Sequence, residues 1–349
     1  VVGALIEDQE TGSTIKVKSK TTIMAAGVWT DPLYDQYGLK PGYAVRMSKG
    51  AHIVVPGDAI KSETGVIIKT DVSVLFIIPW GDKWIVGTTD TDYDESREEP
   101  LATSDDVTYI INQANRVLEP KLRRDQVIGV FAGLRPLVST DPDSPTTKLS
   151  REHVVDSPTQ GFVSIAGGKY TTYRVMSEDA VNEAINHMRK IVPDSATETL
   201  AIIGAEGYSV LMNQIPRLTQ RFGITESSVE HLLNRYGSLI DELLEPAEGD
   251  PSLLEPVIPN LPYLKAEILY SATHEGARSV DDVLSRRTRI AFEAHDQGLS
   301  VVADVADLIS PILGWSVAEK KNSIAEYKEI IERQNAELIV AKKEKSKVS

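Results

Sequence analysis

Cysteine is absent from all 349 residues, which excludes disulfides, zinc–thiolate sites and cysteine nucleophiles and fits a reducing compartment. No apolar run approaches the roughly 20 residues needed to cross a bilayer, and no signal peptide opens the chain. A serine-hydrolase elbow, a P-loop and a zinc motif are also missing, so an enzyme working here without a cofactor would have no visible catalytic set. No G-x-G-x-x-G follows any candidate strand, and the chain opens on Val1-Val2 rather than on methionine. Those two absences raise the expectation of a larger parent protein whose nucleotide-binding N-terminus precedes this chain, which alone would then be inactive. Positive charge is also short: Lys and Arg number 37 against 51 Asp and Glu, a net charge of −14. That balance argues against nucleic acid as a main partner but allows local basic pockets for an anionic substrate.

What is present is an ordinary globular composition, 41% hydrophobic and 25% charged, in a length that usually holds two or three domains. The most informative stretch is Gly167-Gly168-Lys169-Tyr170-Thr171-Thr172-Tyr173-Arg174. The apolar run Phe162 to Ala166 feeds it, and an amphipathic pattern follows to about Met188. The order reads as strand, glycine turn and helix N-terminus. Glycines let another group approach the backbone closely, and the unpaired amides of a first helical turn favour an anion.

Residues 1–26 read as β structure, and Thr30-Asp31-Pro32 is a helix-start signal. Between about 43 and 100, the runs 51–55, 65–68, 74–79 and 84–88 read as an antiparallel sheet. Ser104 is placed to cap a helix whose apolar positions Val107, Ile110, Ile111, Ala114, Val117 and Leu118 follow the 3.6 period. Another strand is expected over 127–131, and Val154-Val155 pairs with Phe162 to Ala166 around a turn. Beyond about 195 helical patterns dominate, at 209–222, 227–236, 264–273, 280–295, 301–313 and 316–341, with 245–262 as a surface excursion. The fold class expected is a mixed α/β body followed by an all-helical domain. A basic tail, Lys342 to Lys347, reads as a solvated helix end or a membrane-surface contact.

Several constellations could carry chemistry. Arg135, Arg151, Lys169 and Arg174 suit phosphate or carboxylate, although a surface ion pair is the ordinary role of an arginine. His52, inside an apolar strand, is either a hydrogen-bonded core residue or a general base. Gly87-Thr88-Thr89-Asp90 offers two hydroxyls and a carboxylate. Asp90, Asp92 and Asp94 begin like a calcium loop, but Glu95 and Leu101 stand where that loop needs Gly and Glu. On the Asp281–Arg289 segment, an acidic start and a basic end suit a helix dipole. It reads as a salt-bridged docking face or as part of a substrate mouth.

Taken in order, Ala25-Ala26-Gly27-Val28-Trp29-Thr30-Asp31, Lys49 to Pro56, Ile78-Pro79-Trp80, Gly87 to Asp92, Gly133 to Leu137, Ser150-Arg151-Glu152-His153 and Gly167 to Arg174 resemble the FAD-dependent glycerol-3-phosphate dehydrogenases. The resemblance is dense over residues 1–190 and continues through Asp281–Arg289. It implies a split FAD domain from 1–30 and 127–195, a substrate domain from 31–126, a helical domain from 196–341, and a tail from 342–349. It also implies FAD as cofactor and glycerol 3-phosphate as substrate. Quinone as acceptor, a homodimer, and a cytoplasmic location on the inner face of the membrane are further expectations.

By the same resemblance, His52, Arg135 and Lys169 are catalytic, with His52 as the base. Arg135, Arg151, Lys169, Thr88 and Thr89 contact substrate. Ala26, Gly27, Trp29, Gly167, Gly168, Lys169, Thr171 and Thr172 line the flavin. Three other readings stay open: an oxygen-using glycerol-3-phosphate oxidase, a flavoenzyme acting on an amino acid or another hydroxy acid, and a non-catalytic binding fragment.

Overall fold

A computed structural model describes residues 1–71, 73–139 and 152–339. The tail read from Lys342 to Lys347 lies outside those residues. Its centre is a long strand, β4 (Ala44–Pro56). One edge of β4 pairs antiparallel along its length with β9 (Gly129–Ser139). The other edge takes β7 (Lys83–Gly87) beside its C-terminal half and the short β8 (Thr91–Asp92) beside its N-terminal half. The strands β6 (Val74–Trp80) and β5 (Val66–Lys69) continue outward from β7. The strand expected at 127–131 therefore runs on to Ser139 and belongs to the same sheet as His52.

Successive side chains of a strand point to opposite faces. One parity here is apolar: Ala51, Ile53, Val55, Leu75, Ile77, Trp84, Val86 and Val130 are buried. Helix α2 (Ser104–Ala114) covers this face with Val107, Ile110, Ile111 and Ala114. Its cap is Thr103, one residue before the position expected. Thr103 Oγ1 accepts from the Asp106 amide at 3.3 Å, and the Asp106 carboxylate accepts from the Thr103 amide at 2.9 Å. Asp106 also receives Lys49 Nζ at 2.8 Å, with both side chains about nine-tenths buried. That pair ties the helix to the strand.

A second, smaller sheet joins β10 (His153–Thr159), β11 (Phe162–Gly167) and β3 (Thr22–Met24), the last in parallel. Helix α3 (Tyr173–Met188) packs on it. β1 (Gly3–Glu7) and β2 (Thr14–Lys18) form a separate exposed hairpin. Helix α1 (Thr30–Tyr37) joins the two sheets. Asp31 accepts from the β4 amide of Val45 at 2.9 Å, and the hydroxyls of Tyr34 and Tyr43 converge on buried Ser164 at 2.5 and 3.0 Å.

Residues from Tyr208 onward are helical: α4 (Tyr208–Met212), α5 (Ile215–Phe222), α6 (Glu226–Tyr236), α7 (Ile240–Leu244), α8 (Lys265–Thr273), α9 (Ile290–Glu293), α10 (Val302–Leu313) and α11 (Val317–Ile339). The single helix expected over 209–222 is two, because Pro216 has no amide to continue a helical ladder through that point. The expected 280–295 helix is likewise broken. Asp282–Arg287 is a π-helical turn, closed by the Thr288 amide and hydroxyl on the Val283 carbonyl, both at 2.8 Å. The 245–262 excursion is not confined to the surface, since Ala247, Leu253, Val257 and Ile258 are buried in the helical cores.

Helix α11 returns to the body. Gln334 Nε2 donates to the Ala102 carbonyl at 2.8 Å, and its Oε1 accepts from the Ala102 amide at 3.2 Å. Gln334→Ala would leave both buried backbone groups unpaired. It is expected to destabilise the chain by about 1–3 kcal/mol, measurable by urea unfolding. An unchanged midpoint would show that this clamp contributes nothing.

Candidate functional site

The face of the sheet opposite α2 has a different character. Along β4 it carries Ser48, Gly50, His52 and Val54. The pairing with β9 sets Arg135 opposite Ser48, Gly133 opposite Gly50, Phe131 opposite His52 and Gly129 opposite Val54. On the other edge, Gly87 stands opposite His52. Residues directly opposite in an antiparallel pair share a face. A histidine, an arginine and a phenylalanine therefore rise from one face, among positions at Gly50, Gly87, Gly129 and Gly133 that carry no side chain.

The glycines make this arrangement sterically possible. A Cβ on Gly50 would overlap the Arg135 guanidinium, and one on Gly87 would overlap the His52 ring. At Gly133 an added Cβ meets no heavy atom of the described residues within 4 Å. This leaves an open floor between the imidazole and the guanidinium.

Arg135 is held from the loop after β7. Its Nη2 donates to Thr88 Oγ1 at 2.9 Å and its Nη1 to the Thr89 carbonyl at 3.2 Å. The Asp90 carboxylate lies 3.8 Å away and also accepts from Ser48 Oγ. The side chain keeps 28% of its surface exposed. Thr89 has a different task, since its hydroxyl accepts the Ala51 amide at 2.9 Å and is buried. Of the two threonine hydroxyls, that of Thr88 is the one that touches the guanidinium.

His52 stacks flat on Phe131, with ring centroids 4.9 Å apart and planes 12° from parallel. Its Nδ1 is buried and has no hydrogen-bond partner among the described residues. The hydrogen-bonded core histidine that the sequence allowed is therefore not what stands here. Leaving such an atom unpaired costs on the order of 1–3 kcal/mol, which a fold tolerates where the group serves a ligand. Burial, and secondly the Arg135 charge, push its pKa down to about 4. The imidazole is neutral at physiological pH and free to accept a proton.

The other residues named from sequence cluster along the far end of β9. Gly167 and Gly168 adopt φ of 76° and 78°, values that favour glycine. A Cβ on Gly167 would overlap Val138, and one on Gly168 would overlap Met176. Val138 lies three strand residues beyond Arg135, about 10 Å along β9. Lys169, Thr171 and Thr172 are exposed at the turn Tyr170–Thr172 that leads into α3. The turn Gly27–Trp29 packs against β9 and β11, with Trp29 41% exposed and Ala26 just before it. His52, Arg135 and Thr88 thus form one cluster. The Ala26–Trp29 and Gly167–Thr172 segments form a neighbouring rim, and Arg151 lies outside the described residues.

Sequence reasoning passed over Ser48, Gly50 and Phe131. The alternation Ser48-x-Gly50-x-His52 against Ala51-x-Ile53-x-Val55 was the available signal. Titrating the histidine ring signals of this chain by NMR, with His52→Gln to assign the resonance, should show His52 neutral to below pH 5. Arg135→Gln should lift its midpoint only part of the way towards 6.5, because burial is the larger cause. A wild-type midpoint near 6.5 would contradict the buried, unpartnered geometry.

Comparison with known proteins gives this site a family. The family described as FAD dependent oxidoreductase matches residues 1–174, and the C-terminal domain of alpha-glycerophosphate oxidase matches residues 195–320. The chain is 43% identical to glycerol-3-phosphate dehydrogenase 2 of Mycobacterium bovis over 334 residues, covering 96% of this chain and 57% of that protein. To the mitochondrial glycerol-3-phosphate dehydrogenase of Bos taurus it is 33% identical, covering 93% and 45%. Among solved structures, the glycerol-3-phosphate dehydrogenase from Bacillus halodurans complexed with FAD superposes with a TM-score of 0.82 at 28% identity, covering 95% of this chain and 66% of that one. The chain spans about half the length of these curated relatives. Over that span it belongs to the FAD-dependent glycerol-3-phosphate dehydrogenase family.

Proposed function

We propose that this chain supplies the proton-accepting and phosphate-binding side of an enzyme that oxidises sn-glycerol 3-phosphate to dihydroxyacetone phosphate with FAD. The observation that carries this reading is a neutral His52, its Nδ1 unpartnered among the described residues, beside the Arg135 guanidinium that lies over Gly50, with open floor at Gly133. The residues present fit the flavin. The left-handed glycines Gly167 and Gly168 leave backbone open to close approach, and the turn beyond them begins a helix whose N-terminal end favours negative charge. Ala26, Gly27, Trp29, Lys169, Thr171 and Thr172 would complete the rim that holds it. When bound, FAD supplies the hydride acceptor for oxidation of the secondary alcohol.

The protein's own residues do the rest. His52 takes the hydroxyl proton and holds it on its ring. Arg135, braced by Thr88 and the Thr89 carbonyl, binds the phosphate through charge-assisted hydrogen bonds. A dianionic phosphate there would offset the guanidinium charge that holds His52 low, raising the basicity of the imidazole when substrate is present. Lys169 adds positive charge at the rim of the site. Phe131 keeps water from one face of the imidazole.

In domain terms, 1–30 and the part from β10 to about 195 belong to the flavin body. β9 spans both parts and pairs with the substrate sheet. Electrons pass on to quinone, in a homodimer held peripherally at the inner face of the cytoplasmic membrane. Among the described residues no helix is long and apolar enough to cross a membrane.

In the full-length, FAD-loaded protein, Arg135→Ala should lower kcat/KM for glycerol 3-phosphate by at least roughly tenfold, about 1.4 kcal/mol. An unchanged kcat/KM would remove Arg135 from the site. Assay of hydrogen peroxide during turnover separates the acceptors. Little peroxide with rapid quinone reduction is the expected result, and stoichiometric peroxide would make the protein an oxidase.

A further inference from the structure

We infer that Phe292, on the helical region, is a positioning residue for His52 and acts through the ring of Phe131. The inference rests on the reading of His52 as proton acceptor. A histidine that moves protons is ordinarily oriented by a hydrogen bond to its second nitrogen. His52 Nδ1 has none among the described residues. A stacked ring is what fixes its plane, and Phe131 provides that ring. Phe131 is in turn supported from outside the sheet. The Phe292 ring lies against it at 5.4 Å between centroids and 59° between planes.

Phe292 reaches this position because α9 is pinned to the sheet at two further points. Gly129 lies opposite Val54, two residues along β4 from His52, and a Cβ there would overlap the Phe292 carbonyl. At the start of α9, the Arg289 guanidinium sits 4.7 Å over the Trp80 ring of β6. The row Phe292, Phe131, His52 is thus anchored on both sides of β4. The contact lets a helical segment some 240 residues away in sequence hold the imidazole plane.

Several charged groups surround this row. Arg135 lies on β9, and Asp90 follows β7 and faces Arg135. Arg289 and Glu293 come from α9, and Glu293 accepts from the Tyr263 hydroxyl at 3.1 Å. Lys83 of β7 lies near enough to Glu293 to act on its charge. Of these groups, Arg135 is the one whose charge acts on His52.

The test uses two readouts. In the FAD-loaded full-length enzyme, Phe292→Ala should lower kcat by about tenfold with KM changed less than about twofold, inside the roughly hundredfold span of a 1 Å misplacement. In this chain, the NMR midpoint of His52 should rise from about 4 towards 6.5 in Phe292→Ala, because the ring that dries and holds it has loosened. Phe292→Leu, which keeps the bulk, should restore most of both. A folded Phe292→Ala with unchanged kcat and midpoint overturns the inference, provided that His52→Gln is inactive. If His52→Gln keeps its kcat, the reading of His52 itself falls, and the inference with it. Should Phe292→Ala fail to fold, the smaller-than-leucine Phe292→Val decides: a His52 midpoint raised above that of Phe292→Leu supports the inference, and a midpoint unchanged from wild type overturns it.

Discussion

Everything at the candidate site depends on missing side chains. The open face of the large sheet carries glycine at 50, 87, 129 and 133, and each of the first three makes room for a specific neighbour. Gly50 admits the Arg135 guanidinium, Gly87 admits the His52 ring, and Gly129 admits the α9 backbone. Glycine inside a strand weakens it and commonly marks close approach of a ligand or another backbone. The cost is met on the opposite face, where α2 buries a continuous apolar layer against the same strands. One sheet therefore has a stabilising side and a chemical side, distinguished by residue parity along β4.

The electrostatics follow from that geometry. A neutral imidazole and a guanidinium share a pocket in which like charge and burial act in the same direction. The histidine is held neutral beside an arginine that stays charged. The loop from Thr88 to Asp90 sets the guanidinium, with a hydroxyl, a carbonyl and a carboxylate around it. A guanidinium held in this way can meet an anion through charge-assisted hydrogen bonds.

Local patterns in the sequence carried much of the fold. The strand, glycine turn and helix over Phe162 to Met188 were legible because each segment announces itself by period or by glycine. His52 and Arg135 could be named, but not their relation. That relation is set by the β4–β9 register across more than eighty residues, and no local pattern encodes register between distant strands. The α2 cap was misplaced by one residue because Thr103 and Ser104 are both good caps, and only the reciprocal bond with Asp106 distinguishes them. The 245–262 stretch looked superficial because proline and acidic residues dominate it. Its few apolar residues are nonetheless the ones that enter the cores. The contact between Phe131 and Phe292 was invisible, since it joins a sheet to a helical region through one ring on each.

The central claim is that Arg135 reads a phosphate while His52 takes a hydroxyl proton. Anaerobic mixing of the full-length, FAD-loaded protein with sn-glycerol 3-phosphate, glycerol or glycine, followed by the visible flavin band, tests it most directly. The account predicts rapid bleaching by glycerol 3-phosphate and none by the other two. Equal bleaching by glycerol, which lacks the phosphate, or by glycine, which lacks the hydroxyl, would contradict it.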